Sequence, residues 1–211
     1  MIAVDTDRLV QSFLALVQID SVTYEERAIS ERLAAELDAL GLPSKNDRTG
    51  RDGAGNLHVR FPASRPDLPP IMLCAHTDTV EPGRGVKPVL RDGVIRTDGR
   101  TVLGADNKAS VAALLEAVRT ITQHNLPHRD VDLVLTWGGA RTRGAVAFDA
   151  GRLTARMGVT MDDTRPPGHV TVSAPAYRSI HARFIGRAAH AGRRPSTGSM
   201  PSRRPPPPSG A

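Results

Sequence analysis

The sequence predicts an α/β fold, and three observations carry that prediction. Stretches with helical spacing alternate with extended apolar stretches from residue 7 to residue 162. The apolar run Ile71-Met72-Leu73-Cys74-Ala75 is entered after Pro69-Pro70 and passes straight into His76-Thr77-Asp78-Thr79-Val80 before Pro82-Gly83, as a strand buried on both faces does. Other extended stretches also end in polar groups, at the carboxyl edge where open α/β sheets collect their ligands.

Taken in order, Leu9, Val10, Phe13, Leu14, Leu16 and Val17 recur at helical spacing after Asp5-Thr6, a pair able to cap the first turn, so residues 7–19 form an amphipathic helix. Ser21-Val22-Thr23 breaks it. Ile29, Leu33, Leu37 and Leu40 share one face of a second helix, which Gly41 ends. The polar, turn-rich stretch 43–55 gives way to Asn56-Leu57-His58-Val59-Arg60-Phe61, whose alternation marks a half-buried strand. After the strand over 71–80, Pro88 to Arg96 forms a hairpin with Asp92-Gly93 as its turn. A loop, 99–108, leads into a helix with Val111, Leu114, Leu115, Val118 and Ile121 on its apolar face. A strand over 130–136 ends in Trp137-Gly138-Gly139-Ala140, a helix follows around Ala145 to Arg156, and a strand from Gly158 ends in Asp162-Asp163. From Pro166 the pattern changes: Val170 and Val172, then Ile180, Ala182 and Phe184, alternate as strands of a different layer. Past Gly192, Pro195, Pro201 and the run Pro205 to Pro208 permit no packed element.

Composition narrows the function classes. The formal charge of +6 invites a nucleic-acid reading, but four of the 28 basic side chains lie in residues 193–211, which hold no acid. The remaining 24 face 22 acidic ones, and no basic stripe is interleaved with aromatics, which make up only 3% of the chain. A nucleic-acid binder therefore rests on the arginine-proline tail alone, and none is expected. No apolar run approaches the length of a membrane span. One cysteine, Cys74, forms no intramolecular disulfide, and with no signal-like start the expected location is cytoplasmic.

The chemistry is carried by a few polar residues at element ends. His76 and Asp78 point the same way from a strand, so the carboxylate can accept the proton of one ring nitrogen while the other nitrogen binds a metal. Asp106 stands at a helix N-terminus, where exposed amides favour an anion, and Asp162 follows another strand. Acid and imidazole placed repeatedly at carboxyl ends of strands are unlike decoration. His58, His124, His128, His169 and His181 fall in no such arrangement and are read as surface or packing residues.

Five segments, Ala75-His76-Thr77-Asp78-Thr79-Val80, Gly104-Ala105-Asp106-Asn107-Lys108-Ala109, Val131 to Thr136, Met161-Asp162 and Gly186-Arg187-Ala188-Ala189-His190-Ala191-Gly192, occur in an order that resembles the two-zinc exopeptidases and deacylases grouped with peptidase T, acetylornithine deacetylase and succinyl-diaminopimelate desuccinylase. The peptidase T-like branch is the most similar. The resemblance implies a mixed, largely parallel sheet flanked by helices over residues 1–166 and the first strands of a smaller α+β lid domain over 167–192, while composition makes 193–211 a disordered Arg/Pro-rich tail, out of frame. It makes His76 and Asp162 terminal ligands of a first zinc, Asp106 the carboxylate bridging two zincs, Asp78 the group that orients His76, and His190 a lid histidine that stabilises the oxyanion in a neighbouring subunit. It further implies small peptide substrates, a metal-activated water and homodimers formed through the lid.

The departures are equally specific. After the strand ending at Thr136 the family places two glutamates, a general base and a ligand of the second zinc; this chain has Gly138-Gly139-Ala140 there. One zinc at most is therefore expected, in an impaired peptidase. The alternatives are a catalytically dead remnant keeping at most that one metal site, or a related amidohydrolase or deacylase. Written in GC-rich codons, Pro195 to Pro205 reads in a shifted frame as Glu-His-Gly-Val-Asn-Ala-Ile-Ala-Ala, and Gly139 to Thr142 as Glu-Arg-Gly, so frame errors are expected in the coding sequence. Sequencing the gene through these codons checks this: an intact frame as written removes the explanation.

Overall fold

The protein is described by a computed structural model covering residues 4–139, 143–163, 165, 166, 168–173, 176, 180, 182 and 183. The chain divides into two units, Met1–Thr164 and Arg165–Ala211. Among the described residues, every helix and strand lies in the first.

Helix α1 spans Thr6–Val17 and begins where Asp5 accepts the Arg8 amide at 2.9 Å. Helix α2, Arg27–Ala39, ends as expected at Gly41, whose φ of +74° is open to glycine without strain. The Gly41 amide bonds Asp38 O and the Leu42 amide bonds Leu37 O, so two terminal carbonyls are satisfied as Leu42 turns back into the core. Strands β1 (Lys45–Asn46), β2 (Leu57–Phe61) and β3 (Ile71–His76) follow. The hairpin of β4 (Pro88–Arg91) and β5 (Val94–Thr97) turns at Asp92 and Gly93, both at positive φ, as a two-residue primed turn requires. Helix α3 (Ala105–Gln123), β6 (Val131–Thr136), α4 (Arg143–Ala147) and β7 (Gly158–Thr160) complete the order.

The five-stranded sheet runs β1-β2-β6-β3-β7. It is mixed: β1 with β2 and β2 with β6 are antiparallel, whereas β6 with β3 and β3 with β7 are parallel. The parallel half carries the polar strand ends. Leu57, Val59 and Phe61 of β2 and Val131, Leu133 and Leu135 of β6 point into one core with Leu16, Ile29, Leu33, Leu37, Val111 and Leu115 of the helices. The alternate residues, His58 and Asp132, face the other side, where Phe148 meets the His58 ring edge-on and residues 154 and 155 close over Asp132.

Three expectations need correction. β6, not β3, is the strand buried on both faces; Met72, Leu73 and Cys74 of β3 are half-buried, because the next strand is the short edge strand β7, whose residues are all exposed. The helix expected over 145–156 stops at Ala147 and resumes only as a single turn at Ala150–Arg152. Its later amides are diverted: Thr154 and Ala155 donate to the Asp132 carboxylate at 2.8 and 2.9 Å rather than to carbonyls one turn back. Finally, no strand forms among the described residues from 165 to 183. Val170, Val172 and Ile180 are 76%, 91% and 90% exposed, so among the described residues no layer covers the apolar side on which their alternation relied. Phe184, His190 and the tail lie outside the described residues.

Asp132 is fully buried and accepts from His58, Thr154 N, Thr154 Oγ1 and Ala155 N. Burial alone would raise its carboxyl, but His58 and the amides of Ala155 and Thr154 outweigh it and hold it below its ordinary 3.8. Its contribution to stability is thus present above that pH and lost on acidification below it. Asp132→Ala leaves two amides and a hydroxyl unpaired in the interior and is expected to cost on the order of 3 kcal/mol, checked by urea unfolding at pH 7. The difference between the two proteins should shrink as the pH is lowered toward 3.

Candidate metal centre

Three chain segments meet at the carboxyl ends of β3 and β7. His76 is the last residue of β3, and Met161, just past β7, donates its amide to Cys74 O at 2.9 Å, which fixes Asp162 beside the same strand end. The third segment is the start of α3. Gly104 has φ +73°, the Asp106–Asn107 peptide is cis, and Asp106 itself is extended (φ −84°, ψ 103°) rather than helical. Asp106 therefore reaches the site from just ahead of the regular helix. Asn107 Nδ2 donates to Met161 O at 2.6 Å and ties the two carboxylate-bearing segments together.

The imidazole is used on both edges. His76 Nδ1 lies 3.1 Å from Asp78 Oδ1 and 3.0 Å from Asp78 O, and Nε2 lies 2.9 Å from Asp106 Oδ1 and 3.6 Å from Asp162 Oδ1. The strand ends at His76, so the contact with Asp78 is made in the following turn rather than along a strand face. Asp78 is fully buried; its Oδ2 accepts from Thr23 Oγ1 at 2.7 Å and its Oδ1 from the Gly139 amide at 2.5 Å.

Electrostatics follow from this crowding. Burial would raise the Asp78 carboxyl, but bonds from His76, Thr23 and Gly139 outweigh it and lower it, so Asp78 is an anion. Asp162 is raised by burial and by Asp106 beside it, against the pull of His76. Burial would lower the His76 imidazolium, yet the bond to Asp78 and the charges of Asp78, Asp162 and Asp106 together push it up to about 9. Without a cation, the imidazole thus carries the proton that partly balances three carboxylates.

One donor atom each from His76, Asp106 and Asp162 lies within 4.8 Å of the other two, and this is the only such metal-competent group among the described residues. An imidazole and two carboxylates suit zinc and neighbouring divalent ions. Donors at ~2.1 Å around a tetrahedral ion sit roughly 3.4 Å apart, and the two separations from Nε2 bracket that value. The donor set therefore fits one ion. The three residues line a cleft of about 330 Å³ with Val80 and Val102 on its apolar side.

The other expected positions behave differently. Gly139 lies against the His76 ring: a Cβ there would come within 2.4 Å of His76 Cβ and Cγ. It contributes its amide to Asp78 and nothing to a cation or a proton. His190 lies outside the described residues. His58 and Trp137 have packing roles, His58 against Asp132 and Trp137 through Nε1 to Thr49 Oγ1 at 2.9 Å. Sequence reasoning missed Thr23 and Glu26, neither of which stands in a motif or at a recurring spacing, and it gave Asn107, quoted in the segment around Asp106, no tie to Met161.

Comparison with known proteins agrees with this architecture. Residues 56–145 match the model of Peptidase family M28. The chain is 38% identical over 199 residues to the uncharacterised protein YqjE of Bacillus subtilis (strain 168), covering 92% of this chain and 53% of that protein. It is 27% identical over 229 residues to peptidase T of Escherichia coli O1:K1 / APEC, covering 88% of this chain and 55% of that protein. Among solved structures, the aminopeptidase PepT of Bacillus cereus ATCC 10987 superposes with a TM-score of 0.73 at 33% identity. A tripeptidase of Staphylococcus aureus subsp. aureus mu50 gives 0.74 at 32%. Each structural match covers 92% of this chain and 53% of the other. The chain thus spans about half the length of the relatives it matches.

Proposed function

We propose that this relative of the peptidase T-like exopeptidases is a metal-dependent peptidase domain for small peptides with a free N-terminus, holding one zinc through His76, Asp106 and Asp162. The observation that carries the reading is the convergence of those three donors from separate segments on a space one ion wide. Held by these three residues, a zinc ion would supply a bound water of lowered pKa and a Lewis acid for a peptide carbonyl. The chain's own residues do the rest: Asp78 accepts a hydrogen bond from Nδ1–H, which keeps the proton on that nitrogen and leaves the Nε2 lone pair facing the ion, and Asp106 and Asp162 supply charge. Val80 and Val102 give the cleft an apolar wall against which a substrate side chain can rest. Position 139 supplies no base, and the loss of a general base lowers turnover by about two to four orders of magnitude. The domain is cytoplasmic in this reading. No helix among the described residues is long and apolar enough to cross a membrane.

The close packing of Gly139 on His76 favours a second reading, a metal-binding remnant without turnover. Hydrolysis of a tripeptide with zinc added separates the two: slow, zinc-dependent release of the N-terminal residue supports the first, and none above buffer the second. An N-acyl amino acid cleaved in place of the peptide would instead indicate a deacylase. Homodimerisation through a lid that includes His190 is a further proposal, tested by the mass of the protein in solution.

A further inference from the structure

We infer that Thr23 and Glu26, in the turn between α1 and α2, are positioning residues of the metal centre that act through Asp78. The inference rests on the metal-centre reading above and concerns what holds that centre from behind. On the edge away from Asp106 and Asp162, the His76 ring is aimed by Asp78, a buried carboxylate carried on a turn rather than on a strand. Such a group keeps its orientation only if its oxygens are held. Thr23 Oγ1 holds Oδ2 at 2.7 Å from a position 55 residues earlier in the chain.

The other oxygen, Oδ1, is held by the amide of Gly139, and that amide has a foundation of its own. The preceding residue, Gly138, stands at φ +57° and donates its amide to Glu26 Oε1 at 2.9 Å across 112 residues. Glu26 is 1% exposed, and its Oε2 has no hydrogen-bond partner among the described residues. Burying a carboxylate with one oxygen unpaired is destabilising, so stability alone is a poor reason for a carboxylate here. Its geometry offers another: it pins the loop whose next amide reaches Asp78.

The same turn grips the strand-end turn directly. Ser21 Oγ donates to Thr77 O at 3.0 Å, the Thr79 amide to Ser21 O at 2.9 Å and the Thr23 amide to Thr79 O at 3.2 Å. One six-residue segment therefore fixes both loops behind the imidazole, and neither Thr23 nor Glu26 lines the cleft. Groups that orient a ligating histidine from behind are commonly worth 10- to 100-fold in metal affinity.

The test is zinc affinity of the full chain by competition with a chromophoric chelator, together with the visible spectrum of the cobalt-substituted protein. Thr23→Val, nearly equal in volume, is expected to weaken zinc binding by about tenfold and alter the cobalt spectrum, and Thr23→Ser to restore both. Glu26→Ala is expected to do the same and Glu26→Gln, which keeps an acceptor for the Gly138 amide, to restore it. If Glu26→Ala does not fold, the two Thr23 variants carry the test. Leu115→Ala, which weakens the core far from Asp78, is expected to leave affinity within about twofold. The inference is overturned if Thr23→Val binds zinc within twofold of the unaltered chain, or if Leu115→Ala loses as much as it does. Absence of zinc binding by the unaltered chain overturns the metal-centre reading and this inference with it.

Discussion

The His76→Ala protein is expected to bind zinc more than about 100-fold more weakly than the unaltered chain, for which one tight site is expected. The loss exceeds the 10- to 100-fold typical of removing a group that merely orients a ligand, because a direct donor disappears. Asp106 and Asp162 remain, but two carboxylates without nitrogen bind zinc no better than many surface pairs. Calorimetric titration checks both statements, and two tight sites per chain would contradict the single centre. The proton on His76 adds a pH signature. The metal-free imidazolium persists up to about 9, so zinc has to expel it, and affinity should rise with pH up to that point. In the metal-free protein the sign reverses for stability. A group raised from 6.5 to about 9 stabilises the fold fully below the lower value, and that contribution is lost as pH climbs through the upper one. Thermal unfolding of metal-free protein should therefore weaken across that window, while the zinc-loaded protein should not.

How much of this was legible in the sequence depends on whether a contact leaves a local trace. His76 and Asp78 were readable because a polar pair two residues apart ends an apolar run, and Asp162 because it closes a second strand. Gly41 and Asp92-Gly93 were readable because positive φ selects glycine and its tolerant neighbours. Burial was less readable: β3 has the stronger apolar run, yet β6 occupies the interior, since depth in a sheet is set by strand order and strand order is a tertiary property. The helix expected near Ala145 failed for a similar reason, as Asp132, some 22 residues away, captures amides that local propensity assigned to helix. The contacts of Thr23, Glu26 and Asn107 left no trace, although Asn107 itself sits in a recognisable segment. Their partners lie 55, 112 and 54 residues off, and a bond over that distance imposes no period on the sequence. The family resemblance supplied roles for the ligands and for Asp78 and stayed silent on what steadies Asp78 itself.

Gly139→Glu is expected to leave tripeptide hydrolysis at background and to weaken zinc binding by about tenfold or more, although it returns a carboxylate to the place where the resemblance puts a base. In this backbone the first side-chain atom would fall within 2.4 Å of His76 Cβ and Cγ, well inside van der Waals contact, and both neighbours are held. The ring is fixed by Asp78, and the loop by the bonds of Gly138 to Glu26 and Gly139 to Asp78. Accommodating the new side chain breaks one of these sets. If the ring moves, a ligand is misaligned; if the loop moves, Asp78 loses the amide on Oδ1, and the orientation of His76 weakens with it. A base positioned at the expense of the ion it serves gains nothing, since the water it would deprotonate is acidic only beside that ion. Zinc titration and a tripeptide assay on the same preparation decide the matter: hydrolysis appearing with zinc affinity unchanged would mean that the loop rearranges freely and that glycine is there by accident of sequence rather than by fit. Loss of affinity without activity would mean that the loop and the imidazole now fit each other, so that recovering turnover requires rebuilding the segment after β6 as a whole.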